Sequence, residues 1–366
     1  MGVIGRTGRG DYGHDLDVTW LDVPEARVVA VADESEPGRS RAAERLKCRA
    51  YADYREMLRQ ERPEIVSVAP RWLDCHRDMA LACAEAGVRG VLMEKPLCRD
   101  LTEADQIAAA CARTGMKIAM AFQTRYSPRV AVVKRLLAEG RIGTVLELRG
   151  RGKEDHRGGG EDLMVLGVHV FDLMRHLAGD PLWCFARVSQ AGRPATGAHV
   201  RDGNEGIGPL TGDALVAAYG FPNGVVGHFA SGRAPEMAGR RFFTTVFGTK
   251  GLISIGHGTL PPVRLLDDPS WTLGGRGGAA IPVSSAGPGL PEPLTDASLR
   301  AGNVLIARDL IRCVEQDRQP LAGLREGIAS LEMVMAVYES HRLGRPVDLP
   351  LRERRHPLAL LAGSRR

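Results

Sequence analysis

The pattern of apolar positions changes period near residue 124. Before it, the short apolar runs VVAVAD (28–33), IVSVAP (65–70), GVLMEK (90–95) and KIAMAF (117–122) have the length and β-branched content of strands buried on both faces. Between these runs the spacing becomes helical. In the stretch from Asp74 to Gly87, for example, His76, Met79, Ala80 and Cys83 share one face, which predicts a helix ending at the glycine. Strand and helix in alternation build a parallel sheet wound on both sides.

Beyond residue 124 the signals differ. Ser127-Pro128 predicts a helix start and Gly140 its end. Hairpin signals then join apolar runs, Pro222-Asn223-Gly224 between VAAYGF and VVGHFA, and Gly248 to Gly251 between FTTVF and LISI. The second half therefore reads as α+β on a large, mostly antiparallel sheet. Residues 256–300, rich in Gly and Pro, read as loop; helices are expected near 303–317 and 324–342, and a basic solvated tail closes the chain. The expected division is 1–124, 125–350 and a tail of 351–366.

Composition narrows the class. A chain of 366 residues exceeds a usual single core, so two domains are expected. The net charge of +5 is small, and the arginines alternate with acids instead of grouping with aromatics, which argues against nucleic acid as partner. No run approaches the apolar length of a membrane span, and the N-terminus lacks a signal-peptide pattern. Seven scattered cysteines without a C-x-x-C point away from a disulfide frame or a zinc site; no metal is expected, and a reducing cytoplasm is the simplest setting.

The N-terminus, MGVIGRTGRGDYGH, carries the first chemistry. After the apolar pair Val3 and Ile4 stand Gly5, Gly8, Gly10 and Gly13. A dinucleotide loop needs glycine at the strand's turn, at the pyrophosphate and at the helix packed behind, with an acid about 20 residues on. Two registers compete: Gly5-x-Thr7-x-x-Gly10 follows the strand directly, whereas Gly8-x-Gly10-x-x-Gly13 satisfies the pattern three residues late. In both, the acid is Asp33. Its carboxylate would accept from the ribose hydroxyls and repel a 2′-phosphate, favouring NAD; Arg39 and Arg41 nearby leave NADP open. Arg6, Thr7 and Gly8 complete the candidate cofactor loop. The first strand is short, which leaves room for residues ahead of Met1.

Further motifs stand at intervals along the chain: MEKPL at 93–97, QTRYSP at 123–128, GGGEDLMVLGVHVFD at 158–172 and RHPL at 355–358. With the glycine loop, these resemble the glucose-fructose oxidoreductase/inositol dehydrogenase (Gfo/Idh/MocA) family over nearly the whole chain. The resemblance implies an N-terminal Rossmann domain holding NAD(P), with Pro70, Glu94 and Lys95 beside the cofactor. It also implies a C-terminal α/β domain whose open sheet forms an oligomer interface, hence a homodimer or homotetramer, and redox chemistry on a hydroxyl of a sugar, polyol or related small molecule. Lys95 matches the family's catalytic lysine, one of six lysines against 43 arginines. Pro96 favours an extended conformation there, aiming Lys95 out of the strand end. His169 matches the family's catalytic histidine, an acid/base for the hydroxyl proton. Arg125, Tyr126 and Asp172 match further family positions.

One position departs from the family. Val165 stands where an aspartate usually precedes the histidine by four residues; Asp162, seven before His169, is the candidate replacement. Trp72, Lys153 and His156 fall on charged loops expected at the carboxyl ends of strands, where they could bind a carbohydrate-like substrate. Two other readings stay open. In one, tightly held NAD serves a redox-neutral elimination or hydrolysis of a glycoside; in the other, favoured by Val165, the chain is a catalytically silent sensor of nucleotide or sugar.

Overall fold

The structure is a computed structural model and describes residues 1–237, 239–272 and 279–363. The chain divides into two compact units. The first comprises Met1–Gln123, Gly203–Gly208 and Ser298–Ile328, the second Thr124–Asp202, Pro209–Ala297 and Ala329–Arg366.

In the first unit, six strands form one parallel sheet: β1 (Gly2–Ile4), β2 (Ala30–Ala32), β3 (Arg49–Tyr51), β4 (Ile65–Val68), β5 (Gly90–Met93) and β6 (Lys117–Met120), ordered β3-β2-β1-β4-β5-β6. Val3 pairs with Val31 on one side and Ser67 on the other. The order reverses between β1 and β4, so the carboxyl ends of these strands frame a crevice. Side chains of β1, β4 and β5 are buried throughout, as expected of a sheet covered on both faces. Short polar caps start the covering helices: Asp53 accepts from Arg55 N–H at 2.7 Å and Asp100 from Glu103 N–H at 2.9 Å.

The crossover after β1 departs from the expected strand-loop-helix. No helix follows the glycine loop; turns lead instead to a short 3-10 turn, Val18–Asp22, pinned by the Trp20 indole N–H to Ser67 Oγ at 3.2 Å. The cause is local. Gly8, Gly10, Asp11, Gly13 and Asp15 all take left-handed φ, from 50° to 90°, and such residues cannot propagate a right-handed helix.

A helix from late in the chain also joins the first unit. Helix Leu299–Gln316 packs on β5 and β6 of the first sheet. Gly90 makes the room, since a Cβ there would lie 2.8 Å from Val314.

The second unit holds a ten-stranded sheet in the order Ile281–Pro282, Val263–Leu266, Gly251–Ile255, Thr244–Gly248, Val145–Arg151, Val226–Gly232, Ala214–Gly220, Trp183–Gln190, Val347–Asp348, with Arg193–Pro194 pairing Trp183–Gln190. All pairs are antiparallel except Val145–Arg151 with Val226–Gly232. Both predicted hairpins form. Residues 256–300 contribute two of these strands, so they are not all loop; 273–278 lie outside the described residues. The expected solvated tail instead forms helix Pro357–Gly363, with Leu351, His356 and Leu358 buried. Among the described residues, no helix is long and apolar enough to cross a membrane.

Candidate functional site

The glycine loop is closed on itself. Arg6 N–H donates to Asp11 O and Asp11 N–H to Arg6 O, both at 3.0 Å, and Gly8 N–H donates to the Asp11 carboxylate at 2.9 Å. Gly10 lies against the turn after β4: Arg71 N–H donates to its carbonyl at 3.1 Å, and a Cβ would stand 2.5 Å from the nitrogens of Arg71 and Trp72. Only glycine fits there. Arg6 reaches both oxygens of Asp74 at 3.1 and 3.0 Å, and the Arg9 guanidinium lies 5.8 Å from the centre of the Trp72 ring.

Asp33 ends β2 as expected, 2% exposed, and is ringed by donors. It accepts from Thr7 Oγ1 at 2.6 Å, Thr7 N–H, Tyr12 Oη at 2.9 Å and Ser35 N–H at 2.9 Å. Thr7, the residue that breaks the glycine pattern in the earlier register, is thus the side chain that grips the acid. The Tyr12 ring covers Gly5, where a Cβ would lie 2.1 Å from a ring carbon, and the Arg45 guanidinium lies 5.3 Å from the ring centre. Burial, then the Asp33 charge, pushes the Tyr12 phenol up, so it remains a donor. Arg39 donates to the Asp33 carbonyl at 2.8 Å, while Arg41 is exposed.

At the end of β5, Glu94 is fully buried and Lys95 is 8% exposed. One Glu94 oxygen lies 2.5 Å from His14 Nδ1, and the other accepts the Lys95 backbone N–H at 3.0 Å. Burial alone would raise the Glu94 carboxyl, but His14 and Lys95 outweigh it and hold it well below the usual carboxylate range. His14 is itself anchored, its carbonyl accepting from Asn303 Nδ2 at 2.6 Å; Gln123 Nε2 donates to Asn303 Oδ1 at 2.7 Å. The buried imidazole of His76 bridges the carbonyl oxygens of Pro70, at 2.7 Å, and Pro96, at 2.9 Å. Tyr12, His14, His76 and Asn303 did not stand out as site residues in the sequence. The first two lie inside the glycine motif, and that proximity was the available signal.

In the second unit, helix Val168–Ala178 carries His169, half-buried in its first turn. Before it, Leu163–Gly167 is π-helical. A π turn takes an extra residue, so the seven-residue spacing from Asp162 to His169 does not preserve a common stripe. Asp162, the expected catalytic carboxylate, is fully buried and anchors the loop before it. It accepts from Lys153 N–H at 3.1 Å, Glu154 N–H at 3.2 Å and Ser231 Oγ at 2.5 Å. Val165 is buried. Arg125 grips Asp172 through Nε at 2.9 and 3.0 Å and through Nη2 to the Asp172 carbonyl at 2.9 Å; its Nη1 lies 3.0 Å from His176 Nδ1. Tyr126 and Trp72 are half-buried, Lys153 reaches Asp155 at 4.0 Å, and His156 is largely exposed.

A parallel doubly wound sheet with a glycine loop after its first strand and a donor-ringed acid after its second defines a dinucleotide-binding class, and the residues present suit that cofactor: the acid after β2 is tied to the glycine loop after β1 through Thr7 and Tyr12. Residues 1–122 match the profile described as "Oxidoreductase family, NAD-binding Rossmann fold", and residues 134–349 that of the same family's C-terminal alpha/beta domain. The chain belongs to the Gfo/Idh/MocA oxidoreductase family. It is similar to D-apiose dehydrogenase of Paraburkholderia graminis, 29% identical over 96% of this chain and 90% of that protein. Levoglucosan dehydrogenase of Pseudarthrobacter phenanthrenivorans is 26% identical over 82% of this chain and 83% of its own. A solved levoglucosan dehydrogenase in complex with NADH and levoglucosan shares the fold, with a TM-score of 0.75 and 24% identity over 96% of this chain and 99% of that one.

Proposed function

We propose that this enzyme is an NAD-dependent dehydrogenase acting on a hydroxyl of a sugar, polyol or glycoside. The observation that carries the reading is Lys95, held at the carboxyl end of β5 by the buried Glu94 carboxylate, at the crevice where open α/β sheets bind their ligands. NAD, when bound, supplies a nicotinamide that accepts or returns a hydride. Gly5, Arg6, Thr7, Gly8, Gly10 and Pro70 shape its cradle, and Asp33 accepts from the ribose. Since Arg39 is committed to a backbone carbonyl and Asp33 carries the local charge, NAD is preferred over NADP. The Lys95 ammonium donates to the reacting oxygen, and His169 takes or returns the hydroxyl proton. Trp72, Tyr126, Lys153 and His156 offer ring and polar contacts to a carbohydrate, while Arg125 and Asp172 stiffen the helix that bears His169.

The enzyme works as a homo-oligomer in a reducing cytoplasm. Phe185 and Val216 are exposed on one face of the ten-stranded sheet, and all seven cysteines are free thiols.

The test is nicotinamide absorbance on a panel of D-apiose, levoglucosan and scyllo-inositol with NAD and NADP. Wild type should turn over at least one of them with NAD, and Lys95→Ala should lower turnover by at least about a hundredfold with the fold and NAD binding kept. Equal turnover in Lys95→Ala would overturn the reading.

A further inference from the structure

The glycine motif ends in a histidine to which the dinucleotide pattern assigns no task. His14 belongs to a chain of hydrogen bonds that starts at the end of β6 and finishes at Lys95, entirely within the first unit. Gln123 donates to Asn303 Oδ1 at 2.7 Å, and Asn303 donates to the His14 carbonyl at 2.6 Å. The His14 Nδ1 faces Glu94 Oε1 at 2.5 Å, and Glu94 Oε2 accepts the Lys95 N–H at 3.0 Å. Asn303 and Glu94 are fully buried, and Gln123 and Lys95 nearly so. His14 alone reaches toward solvent, its side chain one-third exposed.

We propose that His14 is a positioning residue for Lys95, acting through Glu94. A buried carboxylate must be held by donors or it takes up a proton. Glu94 has two such donors, one on each oxygen: the backbone N–H of Lys95, which its own backbone supplies, and the imidazole of His14, which the glycine loop supplies. The second can be removed without touching β5. Gly13 brings the histidine in, since a Cβ there would lie 2.5 Å from the Ala69 carbonyl and force the loop away. With His14 in place Glu94 stays an anion beside Lys95; without it the carboxyl takes up a proton, and Lys95 loses the negative charge beside it. The left-handed glycines thus place an imidazole as well as shaping a phosphate cradle.

The inference rests on the reading of Lys95 as the polarising residue, and its test is separable from that reading. In full-length protein equilibrated with NAD at neutral pH, acetylation of each lysine by an N-hydroxysuccinimide ester is followed by mass spectrometry. His14→Ala and Glu94→Gln should each raise the rate at Lys95 by about threefold or more, as expected for a freed amine, with the other five lysines unchanged. His14→Asn, which keeps an N–H near the Nδ1 position, should restore the wild-type rate. Should His14→Ala fail to fold, His14→Gln, whose amide reaches past that position, should show the same rise. An unchanged or slower rate at Lys95 overturns the proposal, as does a rise shared by all lysines. In turnover, His14→Ala should lower kcat by about tenfold with KM for NAD held, and should cost nothing more in a Lys95→Ala background. If Lys95→Ala retains full turnover, the catalytic reading of Lys95 falls while the labelling result still decides the role of His14.

Discussion

The Tyr12 hydroxyl donates to the Asp33 carboxylate across 2.9 Å, with the tyrosine ring lying over Gly5. The acid proposed to face the cofactor's ribose is therefore also the fastener of the glycine loop. Asp33→Ala removes an anion with four donors, so the expected outcome is double: the NAD dissociation constant rises at least about tenfold, from loss of a charge-assisted bond, and the melting temperature falls. Preference over NADP should narrow because the repelling charge is gone. Tyr12→Phe keeps that charge, so it should cost about 1 kcal/mol in stability and leave the preference intact. Calorimetric titration with both cofactors, alongside melting curves, separates the two effects.

Asp162 and Gly152 make a second pair to test. The Asp162 carboxylate gathers the N–H groups of Lys153 and Glu154, and a Cβ on Gly152 would lie 1.8 Å from its Oδ2. Gly152→Ala should therefore destabilise the protein more than a surface change does. Asp162→Asn presents an amide to donors that need an acceptor, costing about 1–3 kcal/mol. Turnover per folded molecule should change little. A hundredfold loss of kcat at unchanged melting temperature would instead place Asp162 in the chemistry.

What the sequence made legible was whatever periodicity and turn chemistry control locally. The four strand patterns from 28 to 122, the helix from Ser127 to Gly140, both hairpins and Asp33 at a strand end all rest on residues within a few positions of each other. The helix after Gly13 was misread because a G-x-G-x-x-G pattern counts glycines but not the left-handed aspartates Asp11 and Asp15 between them. The docking of helix Leu299–Gln316 on β5 and β6 was not legible because it is a contact between segments far apart in the chain, which no local pattern carries. His14 and Asn303 escaped for the same reason, being 289 residues apart.

The open sheet face gives a prediction about assembly. Val216, 59% exposed, pairs with Ala230 and Arg187, and Phe185 pairs with Ala218, so exposed Val216 and Phe185 share one face of the sheet with Arg187. If copies of the chain associate through it, Val216→Asp combined with Phe185→Asp should shift sedimentation to the monomer while the far-ultraviolet dichroism is kept. An unchanged sedimentation coefficient would take this face out of the interface.

The last prediction concerns acid. Arg125 donates toward His176 Nδ1 at 3.0 Å, so the histidine serves as an acceptor and must be neutral. Burial first, then the Arg125 charge, brings its pKa down to about 3. His257 is lowered to about 3 by burial alone; it is stacked on Phe242 at 4.1 Å, and neither of its buried ring nitrogens has a hydrogen-bond partner among the described residues. For both groups the folded pKa lies below the unfolded value of about 6.5, so the unfolded chain takes up protons first. Their contribution to stability is therefore complete above about pH 6.5 and is lost progressively as pH falls toward 3, at up to about 1.4 kcal/mol per pH unit for each group. Between pH 6.5 and 5 ordinary carboxylates are still charged, so the decline in melting temperature there reports the histidines. His176→Gln keeps an acceptor for Arg125 and cannot take a proton. It should flatten part of that decline, the rest being kept by His257 and by His341, which burial also lowers, while leaving the melting temperature at pH 8 within a few degrees of wild type. A slope identical to wild type would mean that His176 is already protonated in the folded protein and that Arg125 is held by Asp172 alone.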